Sequence, residues 1–278
     1  MAHVDVDGTP IYWDERGRGE PLLLIMGLGA PSDSWHRVAP VLAEHYRVIL
    51  FDNRGVGRSG VPPGPYAIAT MAADAAAVLD AAGVESAHVF GASMGGYIAQ
   101  ELMLGHPTRV RSLILGCTSC GGRDAVIAAN EVRSTLAAVA TMPREQGRRA
   151  MAPFIYAPDT SAARIQEDLA ITLAATFSAE GYVAQLQGIR AWPGTFSRLK
   201  GILVPTLVIH GECDALVPPE NGRILAREIP GARLVMLPSA SHLFMTDQPE
   251  PSMAAVRSFL ADAAAGGIAT HLSSRGGS

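Results

Sequence analysis

The amino-acid sequence predicts an α/β fold: a mostly parallel sheet of about eight strands, opened by an antiparallel hairpin, flanked by helices and carrying a helical cap after the sixth strand. Three observations predict it. Short continuous runs of Val, Ile and Leu recur along the chain, segments of helical periodicity separate most of them, and the stretch 121–200 breaks the alternation. Continuous apolar runs mark strands buried on both faces, and the intervening helices supply the cover.

The elements follow in order. "HVDVDGTPIYWDERG" alternates apolar and polar residues around a glycine-containing turn, the pattern of a half-exposed hairpin at a sheet edge. The runs "PLLLIMG", "RVILFD", "AHVFG", "RVRSLILG", "PTLVIHG" and "ARLVMLP" supply the buried strands. Helical periodicity appears in "TMAADAAAVLDAAG", "GGYIAQELMLGHP" and "PENGRILAREIPG". Between residues 121 and 200 lie "DAVIAANEVRSTLAAVATM", "ARIQEDLAITLAATF" and "EGYVAQLQGIRAW", punctuated by Pro143, Pro153, Pro158 and Pro193; an insertion this long with helical patterning reads as a cap over one end of the sheet. The expected organisation is therefore a core of residues 1–120 and 201–265, a cap of residues 121–200, and a Gly- and Ser-rich flexible tail, 266–278. No internal repeat is visible.

Composition narrows the function. A chain of 278 residues with 48% hydrophobic and 17% charged content can bury a large core. A net charge of −4 supplies no basic footprint for a phosphate backbone, so no nucleic-acid partner is expected. Lys200 is the only lysine, and with abundant alanine and glycine this suggests GC-rich bacterial coding. The N-terminus lacks the pattern of a signal peptide and no run is long enough to cross a membrane, so a soluble cytoplasmic protein is expected. Cys117, Cys120 and Cys213 are an odd number, which argues against a disulfide framework, and the C-x-x-C of Cys117 and Cys120 lacks the second ligand pair that zinc requires. Nothing in the sequence distinguishes a monomer from a homo-oligomer.

The chemistry concentrates at "GASMG". Gly91, Ser93 and Gly95 fit G-x-S-x-G between a strand and a helix, where small residues allow a sharp turn and the helix N-terminus favours developing negative charge. A serine hydroxyl needs a base, and the base an orienting acid. Asp214 follows one apolar run in "LVIHGECD" and His242 follows the next in "LPSASHLF", so both fall at the same sheet edge as Ser93, in the order Ser, Asp, His. His88 and His210, which flank strands, read as structural.

These motifs, together with "DNRGVGRS" and "SHLFMTDQP", resemble the α/β-hydrolase superfamily over residues 4–265, and look most like its capped enol-lactonases, antibiotic methylesterases and haloperoxidase-type esterases. The resemblance implies a serine hydrolase acting on a small hydrophobic ester or lactone, with Ser93, Asp214 and His242 catalytic and the backbone N–H groups of Leu28 and Met94 as oxyanion donors. Met26 stands where the family usually has a histidine. The resemblance also reads Gly55, Gly57 and Gly60 as a loop held by Asp52 and Arg54. The residues agree, since "VPPGPY" cannot start the helix a dinucleotide site requires.

No cofactor or metal is expected, and the expected partner is a small-molecule substrate. Met142, Phe154, Phe177, Trp192 and Phe196 are candidate apolar lining for the pocket. Two other functions stay open: the same scaffold performing C–C bond hydrolysis, perhydrolysis, elimination or cyclisation, and a non-catalytic ligand-binding relative.

Overall fold

A computed structural model describes residues 2–273, with side chains to residue 265. Its sheet has eight strands: β1 (Ala2–Val6), β2 (Thr9–Arg16), β3 (Glu20–Ile25), β4 (Tyr46–Phe51), β5 (Ala87–Ala92), β6 (Val110–Gly116), β7 (Thr206–Gly211) and β8 (Arg233–Leu237). They lie in the order β1-β2-β4-β3-β5-β6-β7-β8. β1 and β2 form the expected antiparallel hairpin, β2 joins β4 antiparallel, and every later pairing is parallel. The hairpin turns at Asp7 and Gly8, with φ of 51° and 77°; a tight hairpin turn needs such angles, and "DG" supplies them.

The helices are α1 (Ala39–Ala43), α2 (Ile68–Ala81), α3 (Met94–Gly105), α4 (Asn130–Ala138), α5 (Arg144–Ile155), α6 (Ala162–Ala174), α7 (Ala179–Ala191), α8 (Glu220–Glu228), α9 (Phe244–Asp247) and α10 (Pro249–Ser273). Strand alternation divides the core in two. Leu23, Ile25, Ile49 and Val89 pack with residues of α2, α3 and α8, while Leu22, Leu24, Val48 and Phe90 pack on the opposite face with residues of α1 and α10. Full burial of each such side chain contributes about 1.5–3 kcal/mol, which is why the strands read as unbroken apolar runs.

Helices α4 to α7 all fall between β6 and β7, within the stretch where the sequence breaks its alternation. This insert carries a small apolar cluster of its own, Val139, Met151, Tyr182 and Leu186. The backbone of α10 continues to Ser273, into the segment expected to be a tail, and residues 274–278 lie outside the described residues. Among the described residues no helix is long and apolar enough to cross a membrane.

Candidate active site

The parallel strands end together, and their carboxyl edge collects the loops that carry the polar residues. Ser93 stands between β5 and α3 with φ 57° and ψ −122°, a conformation that a side chain adopts only when its surroundings impose it. The surroundings are specific. The Ser93 N–H donates to the Gly116 carbonyl at 2.9 Å, and its own carbonyl accepts from Gly96 N–H at 2.9 Å and Thr118 Oγ1 at 2.7 Å. A Cβ on Gly91 would collide with the Gly95 carbonyl, and one on Gly95 with the Ile25 carbonyl, so this turn needs both glycines.

Asp214 follows β7 and His242 follows β8, and the Cys213 N–H ties the two loops by donating to Ala240 O at 2.8 Å. His242 Nδ1 lies 2.8 Å from Asp214 Oδ2, and the buried carboxylate also accepts from the N–H groups of Leu216 and Val217 at 2.9 and 2.8 Å. His210 Nε2 lies 3.3 Å from the same Oδ2 and 2.8 Å from Val217 O. Burial alone would raise the Asp214 pKa, but the His242 charge and hydrogen bonds from both imidazoles outweigh it and hold the group below the usual carboxylate range. His210 thus touches the acid directly, a contact its reading as a strand-flanking residue missed; its separation of four residues from Asp214 was the available signal.

Ser93, Leu28, Met94 and His242 line one cavity of about 420 Å³. The loop Gly27–Gly29 lies against the serine: a Cβ on Gly27 would stand 2.9 Å from Ser93 Cβ. Met94 opens α3, and the first N–H groups of a helix have no intrahelical acceptor. Bracing of the loop comes from other residues than position 26. Asn53 Nδ2 donates to Met26 O at 2.9 Å, Gln185 Oε1 accepts from Gly29 N–H at 2.9 Å, and Arg148 donates to Gly29 O at 2.9 Å.

The five expected pocket residues do not line this cavity, whose insert-side walls are Leu136, Val139, Arg148, Met151, Ile155 and Tyr182 among others. Helix α5 turns Arg148, Met151, Ala152 and Ile155 to the cavity, a stripe at helical spacing. Phe154 stands on its flank and packs, like Phe177, on the insert's own apolar cluster; the Phe177 ring lies 6.0 Å from that of Tyr182. Met142 is half-buried at the end of a short 3₁₀ turn. Trp192 and Phe196, on the returning chain, pack on the core: Trp192 lies 4.7 Å from the Tyr97 ring and donates through Nε1 to Glu101 at 2.7 Å.

The glycine-rich loop is also resolved. No helix begins on Gly55, Gly57 or Gly60; the next one starts at Ile68. Asp52 holds the turn through Ser32 and through Arg58 rather than Arg54, accepting from Ser32 Oγ at 2.6 Å and from the N–H and Nε of Arg58 at 2.9 Å each. Arg54 instead pairs with Asp74 of α2 at 2.6 and 2.5 Å, because the positive φ of Gly55 and Gly57 doubles the chain back and brings Arg58 over Asp52. Cys117 and Cys120 are free and buried, and among the described residues no cluster could hold a metal ion.

A serine on a strained strand-to-helix turn, opening on the same cavity as a histidine bonded to a buried carboxylate, is an arrangement able to carry out acyl transfer. Residues 20–139 match the alpha/beta hydrolase fold family and residues 190–267 the family described as TAP-like protein. The chain belongs to the α/β-hydrolase family and is a hydrolase of that fold. It is 37% identical over 253 residues, 90% of its own length and 94% of the relative's, to an Azorhizobium caulinodans protein named as a carbamate hydrolase, RutD. Among solved structures, a thermophilic esterase from Thermogutta terrifontis superposes with a TM-score of 0.82 at 28% identity, covering 95% of this chain and 97% of that one. The enol-lactonase from Burkholderia xenovorans gives 0.81 at 28% identity, over 93% and 99%.

Proposed function

We propose that the protein hydrolyses a small, largely hydrophobic carboxylic ester or lactone through an acyl-enzyme on Ser93. The observation that carries this reading is the 2.8 Å contact of His242 Nδ1 with Asp214 at the cavity that also contains Ser93. A carboxylate held ionised at Nδ1 keeps the proton there and leaves Nε2 as the base. His242 takes the Ser93 proton while Oγ bonds to the acyl carbon, and the N–H groups of Leu28 and Met94 receive the oxyanion. The C–O bond to the alcohol then breaks as His242 returns the proton to the leaving oxygen. A water repeats the sequence and releases the acid.

Helices α4 to α7 act as the cap that roofs Ser93 and selects substrate by shape. A cavity of about 420 Å³ with mostly apolar walls suits a medium-sized acyl group. The relatives named as esterase and enol-lactonase support ester chemistry in this scaffold.

The test is to treat wild type and Ser93→Ala with a fluorophosphonate probe and a short-chain p-nitrophenyl ester. Labelling and acid release should occur in wild type and vanish in the variant. Folded wild type that neither labels nor turns over would remove Ser93 as a nucleophile.

A further inference from the structure

Among the cavity-lining side chains, the histidines, arginines and carboxylates are His36, Arg37, Arg148, Arg149, Asp168 and His242. Most are neutralised locally. Arg37 bonds to Glu167 and Asp168, at 2.6 and 3.1 Å; His36 lies 3.2 Å from Asp168; Arg149 pairs with Glu145 one turn away; His242 meets Asp214. Arg148 is the exception. Among the described residues it has no carboxylate partner, and its one hydrogen bond runs from Nη2 to the Gly29 carbonyl at 2.9 Å, leaving its other N–H groups without a protein acceptor.

Its position makes this costly. The side chain is half-buried on the cavity wall, and burial draws its pKa down while Arg144 adds like charge. Neighbouring Tyr182 and Tyr156 are neutral at ordinary pH, because burial pushes both phenols up. A cation partly stripped of water and held without a counter-ion is destabilising relative to one that has an anion beside it. Its bond to the Gly29 carbonyl braces the loop, but that role needs only a donor and not a charge.

We infer that Arg148 is the seat for a free carboxylate carried by the substrate, so that the preferred ester or lactone has one acyl carbon at Ser93 and a second, anionic group at Arg148. The inference rests on the proposed esterase reading and deepens it. Its geometry is consistent, since Arg148 bonds to the loop that presents Leu28, and both Arg148 and Ser93 open on the same space. A planar guanidinium with free N–H groups matches a carboxylate's two oxygens. The remaining apolar wall would hold the carbon chain between the two ends.

Monomethyl succinate, adipate and suberate, each compared with its dimethyl ester, test it. In wild type the best monoester should exceed its diester in kcat/KM, and Arg148→Met should lower that ratio by about 30-fold or more, the lower end for removing one partner of a buried charged pair. Arg148→Lys should restore part of the ratio, which a purely structural role would not produce. Equal ratios in wild type and Arg148→Met overturn the inference while leaving the hydrolase reading intact. Calorimetry separates the two without turnover: adipate should bind Ser93→Ala, and wild type, more tightly than adipamide does, and equal binding of both overturns the carboxylate seat even where Arg148→Met does not fold. Absence of probe labelling and of hydrolysis for every ester overturns the hydrolase reading instead.

Discussion

Asp214→Asn is the sharpest test of how the site works. The carboxylate accepts from the N–H groups of Leu216 and Val217 and from His242 Nδ1, and His210 Nε2 lies 3.3 Å from it. An asparagine can keep its oxygen on the two backbone donors, but it then turns an NH₂ toward both imidazoles. His242 must present an unprotonated Nδ1 to accept it, which moves the ring proton to Nε2, the atom that receives the Ser93 proton in the proposed mechanism. His210 can fall back on Val217 O, 2.8 Å away, so the fold should survive. The expected loss is about 10⁴-fold in kcat, the scale for the wrong tautomer in serine proteases, or roughly 5.5 kcal/mol of transition-state stabilisation. Pre-steady-state hydrolysis of a p-nitrophenyl ester reads the acylation rate, and circular dichroism confirms folding. A folded variant within tenfold of wild-type kcat would refute the assignment of Asp214 as the orienting acid.

Two further outcomes follow from the same geometry. Asp168 should show its contribution through pH: burial would raise its pKa, but hydrogen bonds from His36 and Thr246 and the charge of Arg37 hold it below 3.8, so its stabilisation is present above the ordinary carboxylate pKa and lost as pH falls through the folded value. The Tm gap between wild type and Asp168→Asn should therefore be widest near neutral pH and narrow as pH falls below the ordinary carboxylate pKa, and a gap independent of pH would contradict the linkage. In native protein a thiol reagent at mild alkaline pH should modify Cys213 alone, since it is exposed while Cys117 and Cys120 are buried, with burial pushing the Cys120 thiol up to about 11 and that of Cys117 well above the usual thiol range; mass spectrometry finding more than one adduct before unfolding would show that the buried pair is accessible.

How much of this was legible depends on how local the causes are. Ser93, Asp214 and His242 could be read because each sits just after a continuous apolar run, and parallel strands bring their carboxyl ends together whatever the packing beyond them. The hairpin was equally legible from alternation and its Asp7–Gly8 turn. The pocket walls were not. Aromatic size suggested Phe154 and Phe177, but which face of a cap helix meets the cavity depends on how the insert docks, a tertiary fact that places Arg148 inside and Phe154 on the flank. In "REQGRRAM" the arginines look like one solvated face, and Arg149, exposed and salt-bridged to Glu145, follows that pattern although it also borders the cavity. The usable signal was the spacing of Arg148 with Met151, Ala152 and Ile155, which groups one charge with three apolar residues.

Met26 illustrates how a departure from a family pattern can be absorbed. A histidine side chain at that position would brace the loop from within the core, whereas here the loop is gripped at its backbone, by Asn53 from the core and by Gln185 and Arg148 from α7 and α5. Gln185 is fully buried and bonds twice, to Gly29 N–H at 2.9 Å and to the Arg54 carbonyl at 2.8 Å, so it links the loop beside Leu28 to the loop that carries Arg54. On the proposed function, the position of α5 and α7 and the geometry of the Leu28 donor are therefore not independent. Gln185→Leu leaves two backbone groups without partners, each costing about 1–3 kcal/mol, and frees Gly29 to shift. Because misplaced oxyanion donors are felt in the transition state, kcat should fall about 10- to 100-fold with KM changed much less. Met26→His should leave kcat within a few-fold, since the bracing it would add is already supplied. A Gln185→Leu enzyme whose defect lay wholly in KM would mean that the cap only gates substrate and that the loop holds its own geometry.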